Sequence, residues 1–192
     1  MISIVTGNTK KFTEMQHALS AFDIAVEQVQ VDVPELQTRD HEAVIRAKTA
    51  AAYAATQRPV LVDDSGFYIE RHQQFPGVYT KDVYKMIGYD GLRALTSEGD
   101  AAEFRCFVGY MDETLNEPMI FRGVYSGSVT HDFDSEAAAK THAEMPYVVL
   151  FVPDIQPNTN ASKSLAYFSE DERSSDHRHQ ALQAFAQWYR SR

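Results

Sequence analysis

Two adjacent carboxylates, Asp63 and Asp64, have the clearest capacity for chemistry in this sequence. They follow an apolar run at residues 60–62 and precede Ser65 and Gly66. Carboxylates at the end of a buried strand are unfavourable unless they are paired or bind a metal ion. Mg²⁺ takes one or two carboxylates together with substrate phosphates. An Asx turn before Gly66 explains the same pattern equally well, so both interpretations stay open.

The spacing of these carboxylates also matters. Because successive strand residues point to opposite sides, we expect one of Asp63 and Asp64 to face a site while the other caps a turn. Glu35 follows Pro34, which ends the second predicted strand. A carboxylate there can reach the same sheet edge as Asp64, although most such glutamates are solvated.

A phosphate-binding turn is the second candidate. Thr6-Gly7-Asn8 joins a β-branched run to a helix, with lysines at positions 10 and 11. Free backbone N–H groups at a helix N-terminus attract phosphate. Lysines at that end oppose the helix dipole, which an anionic ligand would explain. For this segment alone, an ordinary βα turn with surface lysines is the simpler interpretation.

Several other polar residues could contribute charge or hydrogen bonds. Lys48 lies in an alanine-rich helix, Lys81 follows an aromatic loop, and His177-Arg178 starts the last helix. Each alone is typical of a surface or loop. The histidines lack the spacing of a zinc site, and neither a Walker A loop nor a GxSxG nucleophile motif occurs.

Strands and helices are mixed along the chain, which predicts an α/β fold with a mixed sheet. Strands are predicted at residues 2–5, 24–33, 60–62, 67–70, 104–110, 119–129 (bent, or a hairpin) and 147–152. Helices are predicted at residues 12–22, 40–57 and 90–98, and a last helix is capped by Ser174 or Ser175. Residues 131–146 are unassigned and residues 154–163 are predicted as a loop.

Composition sets the remaining limits. The 192 residues are 44% hydrophobic and carry a formal charge of −9, which favours one globular domain and argues against nonspecific binding to nucleic acid or anionic membrane. The only cysteine is Cys106, so the chain has no intrachain disulfide or cysteine zinc site, as expected in the cytoplasm. No signal peptide or membrane-spanning run is expected.

Taken in order, these motifs resemble the inosine triphosphatase family, whose members are also known as noncanonical purine nucleoside triphosphate pyrophosphatases. The resemblance covers nearly the whole chain. The matching pieces are Thr6-Gly7-Asn8 with Lys11 and Glu14, Pro34-Glu35, Lys48, Asp63-Asp64-Ser65-Gly66, Phe75-Pro76-Gly77-Val78-Tyr79 with Lys81, Phe121-Arg122-Gly123 through Gly127, and His177-Arg178 with Ala181-Leu182.

This resemblance implies an elongated, two-lobed α/β fold around a long mixed sheet, in a single domain over residues 1–192 with an active-site cleft between the lobes. It implies Mg²⁺-dependent hydrolysis of a nucleoside triphosphate to the monophosphate and pyrophosphate. Substrates of this class are deaminated purines such as the inosine and xanthosine triphosphates. The resemblance also implies a homodimer.

It further implies a role for each matching residue. The catalytic set is Asp64, Lys11 and Lys48. The metal set is Glu35 and Asp64, with Asp64 also near the attacking water. The substrate-binding set is Thr6, Gly7, Asn8, Lys11, Lys48, Asp64, Ser65, Gly66, Lys81, Tyr147, His177 and Arg178, the last three facing the base.

Departures from the family pattern cluster after residue 130. Val148 stands where the family has aspartate, and residues 170–173 lack the family's lysine. The sequence therefore predicts intact metal and triphosphate chemistry with altered base choice. The alternatives are a pyrophosphatase for another modified base, as in the Maf-like proteins, and a catalytically silent nucleotide-binding protein. A nuclease is disfavoured by the net charge of −9.

Overall fold

The computed structural model describes residues 1–142, 145–156, 163–169, 171–173 and 175–192. Within these ranges the strands are β1 (Ile2–Val5), β2 (Val26–Val29), β3 (Val60–Ile69), β4 (Phe75–Gly77), β5 (Ala101–Met111), β6 (Met119–Val129) and β7 (Phe151–Pro153). The α-helices are α1 (Thr9–Ser20), α2 (His41–Thr56), α3 (Thr80–Leu95), α4 (Ser135–Thr141) and α5 (His177–Arg190). Short 3₁₀ helices are Glu70–His72, Pro146–Leu150, Leu165–Tyr167 and Asp171–Arg173.

The strands form one mixed sheet in the order β2-β1-β3-β5-β6-β7, with β4 paired to β3. The pairs β1/β2 and β1/β3 are parallel, whereas β3/β4 and β6/β7 are antiparallel. This confirms the predicted α/β fold with a mixed sheet.

The chain divides into two compact units. The first comprises Met1–Ser65, Cys106–Val124 and Ser175–Arg192, and the second Gly66–Arg105 and Tyr125–Ser174. In the first, α1 packs against α5 over a core that includes Ile4, Leu19 and Phe185. In the second, the ring of Phe67 lies 4.9 Å from that of Phe104 and 5.0 Å from that of Tyr147.

Side-chain caps determine where the helices of the first unit begin. Asn8, Asp40 and Asp176 precede α1, α2 and α5, and each accepts a backbone N–H from the first turn of its helix. Such a cap satisfies a donor that has no partner inside the helix. The predicted α2 is confirmed. The serine cap predicted for the last helix is wrong, because Asp176 takes that place, and Ser174 is outside the described residues.

The largest correction concerns the carboxylate segment. An Asx turn was one of the two open interpretations of residues 63–66, but β3 continues through them. The beginning of β3 pairs with β1 and its end with β4, so residues 63–66 connect two paired stretches. Gly66 makes this geometry possible, since a Cβ there would lie 2.4 Å from the carbonyl oxygen of Gly77. The turn interpretation is therefore wrong.

Other boundaries also differ. Residues 147–150 belong to a 3₁₀ helix and only Phe151–Pro153 is strand, because an apolar run buried on all sides has no period that separates helix from strand. Strand β2 ends at Val29, although Val31 and Val33 still pack against the core. The helix predicted at 90–98 is the end of α3.

In the remaining segments, β6 is a single strand rather than a hairpin. The unassigned stretch 131–146 contains α4. In the predicted loop at 154–163, residues 157–162 lie outside the described residues. Over the described ranges, none of the helices combines the length and apolar character needed to cross a membrane.

Candidate active site

The turn before α1 holds the first set of predicted site residues. The Oγ1 atom of Thr6 accepts the backbone N–H of Asn8 at 3.1 Å, and the Oδ1 atom of Asn8 accepts the N–H of Lys11 at 3.0 Å. A Cβ at Gly7 would meet nothing within 4 Å. The fold therefore does not require glycine for space at position 7, and the turn offers an open backbone where an anion can approach a helix N-terminus.

Asp63 is enclosed by cations. Only 2% of its side chain is exposed; its Oδ2 atom lies 3.2 Å from Nζ of Lys11 and 3.2 Å from Nε of Arg178. The other ends of the Arg178 guanidinium reach Oε2 of Glu14 at 2.7 Å and Oγ of Ser65 at 3.4 Å. Strand β3 and helices α1 and α5 thus meet at a buried ionic cluster in the first unit.

The charges in this cluster are held firmly. Burial by itself raises the pKa of Asp63, but the Lys11 ammonium and the Arg178 guanidinium outweigh it and hold that pKa well below its ordinary value. Burial of Arg178 is outweighed in the same way by Asp63 and Glu14, so its pKa is raised. Both groups are therefore ionised at neutral pH and neutralise one another.

Asp64 points to the other side of β3 and has different neighbours. Nε2 of His41 lies 2.8 Å from its Oδ2 atom, and Nζ of Lys48 lies 4.0 Å from its Oδ1 atom. Lys48 also lies 3.4 Å from Oε1 of Glu35. The exposed fraction of the side chain is 17% for Asp64 and 55% for Glu35. The expected opposition of Asp63 and Asp64 is confirmed, although neither caps a turn.

On this side of β3 the pKa shifts favour the charged forms of both Asp64 and Lys48. Burial alone raises the pKa of Asp64, but the hydrogen bond from His41 and the charge of Lys48 lower it below its ordinary value. Burial disfavours the Lys48 ammonium, but Asp64 and Glu35 outweigh that effect and raise its pKa. The ionised Asp64 carboxylate and the Lys48 ammonium therefore coexist at a partly open position.

The donor set on this side fits a magnesium ion. Glu35 and Asp64 supply carboxylate oxygens from separate elements, and both carboxylates converge on the same Lys48 ammonium. Among the described residues, no group of three or more His, Cys, Asp and Glu side chains is arranged to hold a metal. Two carboxylates completed by water and substrate phosphates match the way Mg²⁺ is usually held.

The residues predicted to contact the base are buried. His177 and Arg178 start α5 in the first unit, and burial lowers the pKa of His177 to about 4, so this imidazole is neutral at neutral pH. Tyr147 belongs to the second unit, where its ring packs against Phe67. Lys81 is exposed at the start of α3 in the second unit.

Sequence reasoning brought together Glu35, Lys48 and Asp64 correctly but missed His41. The signal was present, because His41 follows the cap residue of α2 and lies about two helical turns before Lys48 on the same face. The ionic role of Glu14 was also missed, although its place in the first motif was noted. Nothing in the local pattern indicates that Glu14 reaches Arg178, which is 164 positions away.

The chain is similar to known proteins over nearly its whole length. Residues 2–188 match the Ham1 family over nearly the whole chain. The chain belongs to the Ham1 family. This membership confirms the resemblance seen in the order of the sequence motifs.

Two curated relatives of this Ham1 chain are matched over almost their full length. A dITP/XTP pyrophosphatase from Methanopyrus kandleri is 33% identical over 194 residues, covering 99% of this chain and 96% of the relative. A dITP/XTP pyrophosphatase from Pyrococcus horikoshii is 30% identical over 190 residues, covering 97% of this chain and 95% of the relative.

Solved structures agree with the Ham1 fold. A HAM1 protein from Coxiella burnetii superposes with a TM-score of 0.72 at 22% identity, covering 100% of both chains. The Staphylococcus aureus Ham1 protein superposes with a TM-score of 0.69 at 17% identity, covering 100% of this chain and 99% of that one. At these identities the likeness is one of fold.

Proposed function

We propose that this Ham1 chain is a nucleoside triphosphate pyrophosphatase acting on deaminated purine nucleotides of the dITP, ITP and XTP class. The observation that carries the proposal is the convergence of Glu35 and Asp64 on Lys48; the turn at Gly7, which follows β1, is open. The full-length relatives named dITP/XTP pyrophosphatase support the substrate class. Removal of such nucleotides would cleanse the nucleotide pool.

The reaction breaks the anhydride between the α- and β-phosphates and adds water across it, which gives a monophosphate and pyrophosphate. Asp64 is the proposed group that orients the attacking water, because its carboxylate is ionised and partly exposed. Lys48 and Lys11 would balance phosphate charge, with backbone N–H groups of the turn at Thr6, Gly7 and Asn8. Positioning and charge neutralisation supply most of the catalysis in phosphoryl transfer.

Glu35 and Asp64 would hold Mg²⁺. The ion would neutralise charge that develops on the phosphate oxygens. Lys48 lies close to both carboxylates, and phosphate oxygens entering the site would give its ammonium a second set of partners. Ser65 and Gly66 keep β3 in the geometry that presents Asp64.

The contacts with the base are also proposals. Lys81 is proposed to contact phosphate, and Tyr147, His177 and Arg178 are proposed to lie towards the base. Arg178 has only N–H donors, which suit a 6-oxo purine better than adenine. The departures from the family pattern after residue 130, such as Val148 in place of aspartate, make a modified pyrimidine of the Maf-like class the second candidate substrate.

Three features of the setting are proposed as well. Residues 1–192 would act as one domain, because strands β3, β5 and β6 each contribute residues to both units. A cytoplasmic location is supported by the single buried cysteine. A homodimer is proposed from the family resemblance, and a nucleic-acid partner is disfavoured by the charge of −9.

A substrate panel tests the reaction and the base together. The purified protein would be given dITP, ITP, XTP, the standard triphosphates and modified pyrimidine triphosphates with Mg²⁺, and products would be separated by anion exchange. We expect monophosphate plus pyrophosphate, with the highest kcat/KM on a deaminated purine. Best turnover of a modified pyrimidine would favour the second candidate. Orthophosphate as product would contradict the proposed reaction, and no turnover by folded protein would favour a nucleotide-binding role.

Asp64→Asn is the informative variant in the same panel. It removes the charge of a metal ligand and water-orienting group, so we expect kcat to fall by about 1,000-fold, corresponding to about 4 kcal/mol of transition-state stabilisation. Asp90→Asn, at an exposed position on α3, is the matched control and should leave kcat unchanged. Full activity in Asp64→Asn would exclude the proposed site.

A further inference from the structure

His41 is held in place by contacts that involve three elements. It is the first residue of α2, and the backbone at that point is fixed by the Asp40 cap, whose Oδ1 atom accepts the N–H of Ala43 at 3.1 Å. Its ring stacks at a tilt against Phe107 of β5, with centroids 4.6 Å apart. Its side chain is only 4% exposed. The imidazole therefore has little freedom to turn.

The direction of the hydrogen bond to Asp64 follows from the charge of that carboxylate. A carboxylate that binds a divalent metal does so in its ionised form, and an ionised carboxylate can only accept. Nε2–H of His41 therefore donates to Oδ2 of Asp64 over 2.8 Å. With Oδ2 held in this way, Oδ1 is the oxygen on the side of Lys48, whose ammonium also contacts Glu35.

Helix α2 supplies both contacts to this carboxylate. His41 and Lys48 are about two turns apart on one face, and each side chain approaches a different oxygen of Asp64. The long Lys48 side chain has room to exchange carboxylate for phosphate partners, whereas the packed ring of His41 does not. One contact is therefore suited to change during binding and the other to stay constant.

We propose that His41 is a positioning residue that orients the Asp64 carboxylate for divalent metal, by binding Oδ2 so that Oδ1 stays on the side that Lys48 shares with Glu35. This inference rests on the proposed function, because it assigns His41 to the metal site described there. A hydrogen-bond partner behind a metal-ligating carboxylate fixes the orientation of that ligand, and its loss typically costs about 10- to 100-fold in metal affinity or activity.

The experiment compares three substitutions at His41. Leu fills similar space without a donor. Gln places an amide N–H near the position of Nε2, whereas the shorter Asn amide ends near the position of Nδ1 and does not reach Asp64. His131→Leu is the matched control, because its Nε2 atom also makes a 2.8 Å hydrogen bond, to Oγ1 of Thr96 in the second unit. Circular dichroism and thermal unfolding would check that each variant folds.

The first readout is binding of Mn²⁺ to the nucleotide-free protein, measured by electron paramagnetic resonance. We expect His41→Leu and His41→Asn to weaken the Mn²⁺ dissociation constant about 10- to 100-fold. His41→Gln should restore it to within about three-fold of the parent. His131→Leu should leave it unchanged even if it lowers thermal stability.

The second readout is hydrolysis at saturating nucleotide with Mg²⁺ varied. The Leu and Asn variants should need about ten times more Mg²⁺ for half-maximal rate, with KM for nucleotide little changed. Mn²⁺ affinity of folded Leu and Asn variants equal to the parent would overturn the proposal, as would a Gln variant as weak as Leu. If the parent binds Mn²⁺ but hydrolyses no nucleotide, the proposed function fails while the Mn²⁺ comparison still decides the role of His41.

Discussion

Asp63 and Asp64 are neighbours of the same residue type on one strand, yet their surroundings differ in almost every respect. Asp63 is 2% exposed and lies between Lys11 and Arg178. Asp64 is 17% exposed and has one closely packed partner, His41 at 2.8 Å, and one more distant cation, Lys48 at 4.0 Å. We call the Asp63 side closed, because Asp63, Lys11 and Arg178 are paired with one another there. We call the Asp64 side open, because its carboxylates are partly exposed and could bind a metal ion.

The contrast shows that the two faces of one strand can serve different purposes, one for stability and the other for the proposed chemistry. Alternation along β3 places the two carboxylates on opposite faces, and the helices that cover each face determine what the carboxylate can do. On the closed side, removing the Asp63 charge takes the carboxylate from Lys11 and leaves Arg178 with Glu14 as its carboxylate partner. On the open side, water reaches the carboxylates, so the folded state depends less on them.

The substitution with the largest expected effect on stability is Asp63→Asn, which tests the difference between the two sides. It leaves Lys11 and Arg178 without their shared carboxylate, and breaking such a buried pair costs about 3–5 kcal/mol. We expect the free energy of unfolding, measured by urea denaturation, to fall by that amount. Asp64→Asn is the comparison and should lower it by less, because 17% of the Asp64 side chain is exposed and its contact with Lys48 spans 4.0 Å. Equal losses in both variants would contradict the division into a closed and an open side.

The pH dependence of stability sharpens the comparison further. Burial lowers the pKa of His177 on the closed side to about 4, from an ordinary value of 6.5. Between these values the unfolded chain binds a proton that the folded protein does not, so stability is present above pH 6.5 and is lost as the pH falls towards 4. The loss from this group amounts to roughly 3 kcal/mol.

The measurement is urea denaturation at several pH values between 4 and 7, on the parent and on His177→Gln. In the variant, the free energy of unfolding should depend less steeply on pH, because the contribution of His177 is absent. Asp63 acts in a separate window, because its lowered pKa contributes stability that is lost only as the pH falls below about 4, the ordinary value for aspartate. The same slope in both proteins would mean that His177 is protonated in the folded state.

The smallest expected change in stability belongs to Glu35→Gln on the open side. The pair of Glu35 with Lys48 spans 3.4 Å, but the Glu35 side chain is 55% exposed, and exposed pairs contribute about 0–1 kcal/mol. We expect urea denaturation to detect a change below about 0.5 kcal/mol. The Mg²⁺ concentration for half-maximal hydrolysis should nevertheless rise, and an unchanged Mg²⁺ requirement would remove Glu35 from the metal site.

The secondary structure shows where local pattern is sufficient. Helix α2 was predicted almost to the residue, because an alanine-rich face and the Asp40 cap are local signals. The 3₁₀ helix at Pro146–Leu150 was predicted as strand, since a run of buried apolar side chains looks alike in both conformations. Strand β3 was predicted as two pieces, because the sequence Asp63-Asp64-Ser65-Gly66 is typical of a turn. The sequence does not show that Gly66 packs closely against Gly77.

The sequence by itself determined the α/β class and the family, and it supplied the carboxylates and lysines of the proposed site. Those properties depend on residue type, order and short-range spacing. Only the tertiary structure decided which aspartate is closed and which is open, that Arg178 pairs with Glu14 and Asp63, and that His41 holds Asp64. These facts depend on contacts between residues 23 to 164 positions apart, and burial and pairing arise only where the chain brings such residues together.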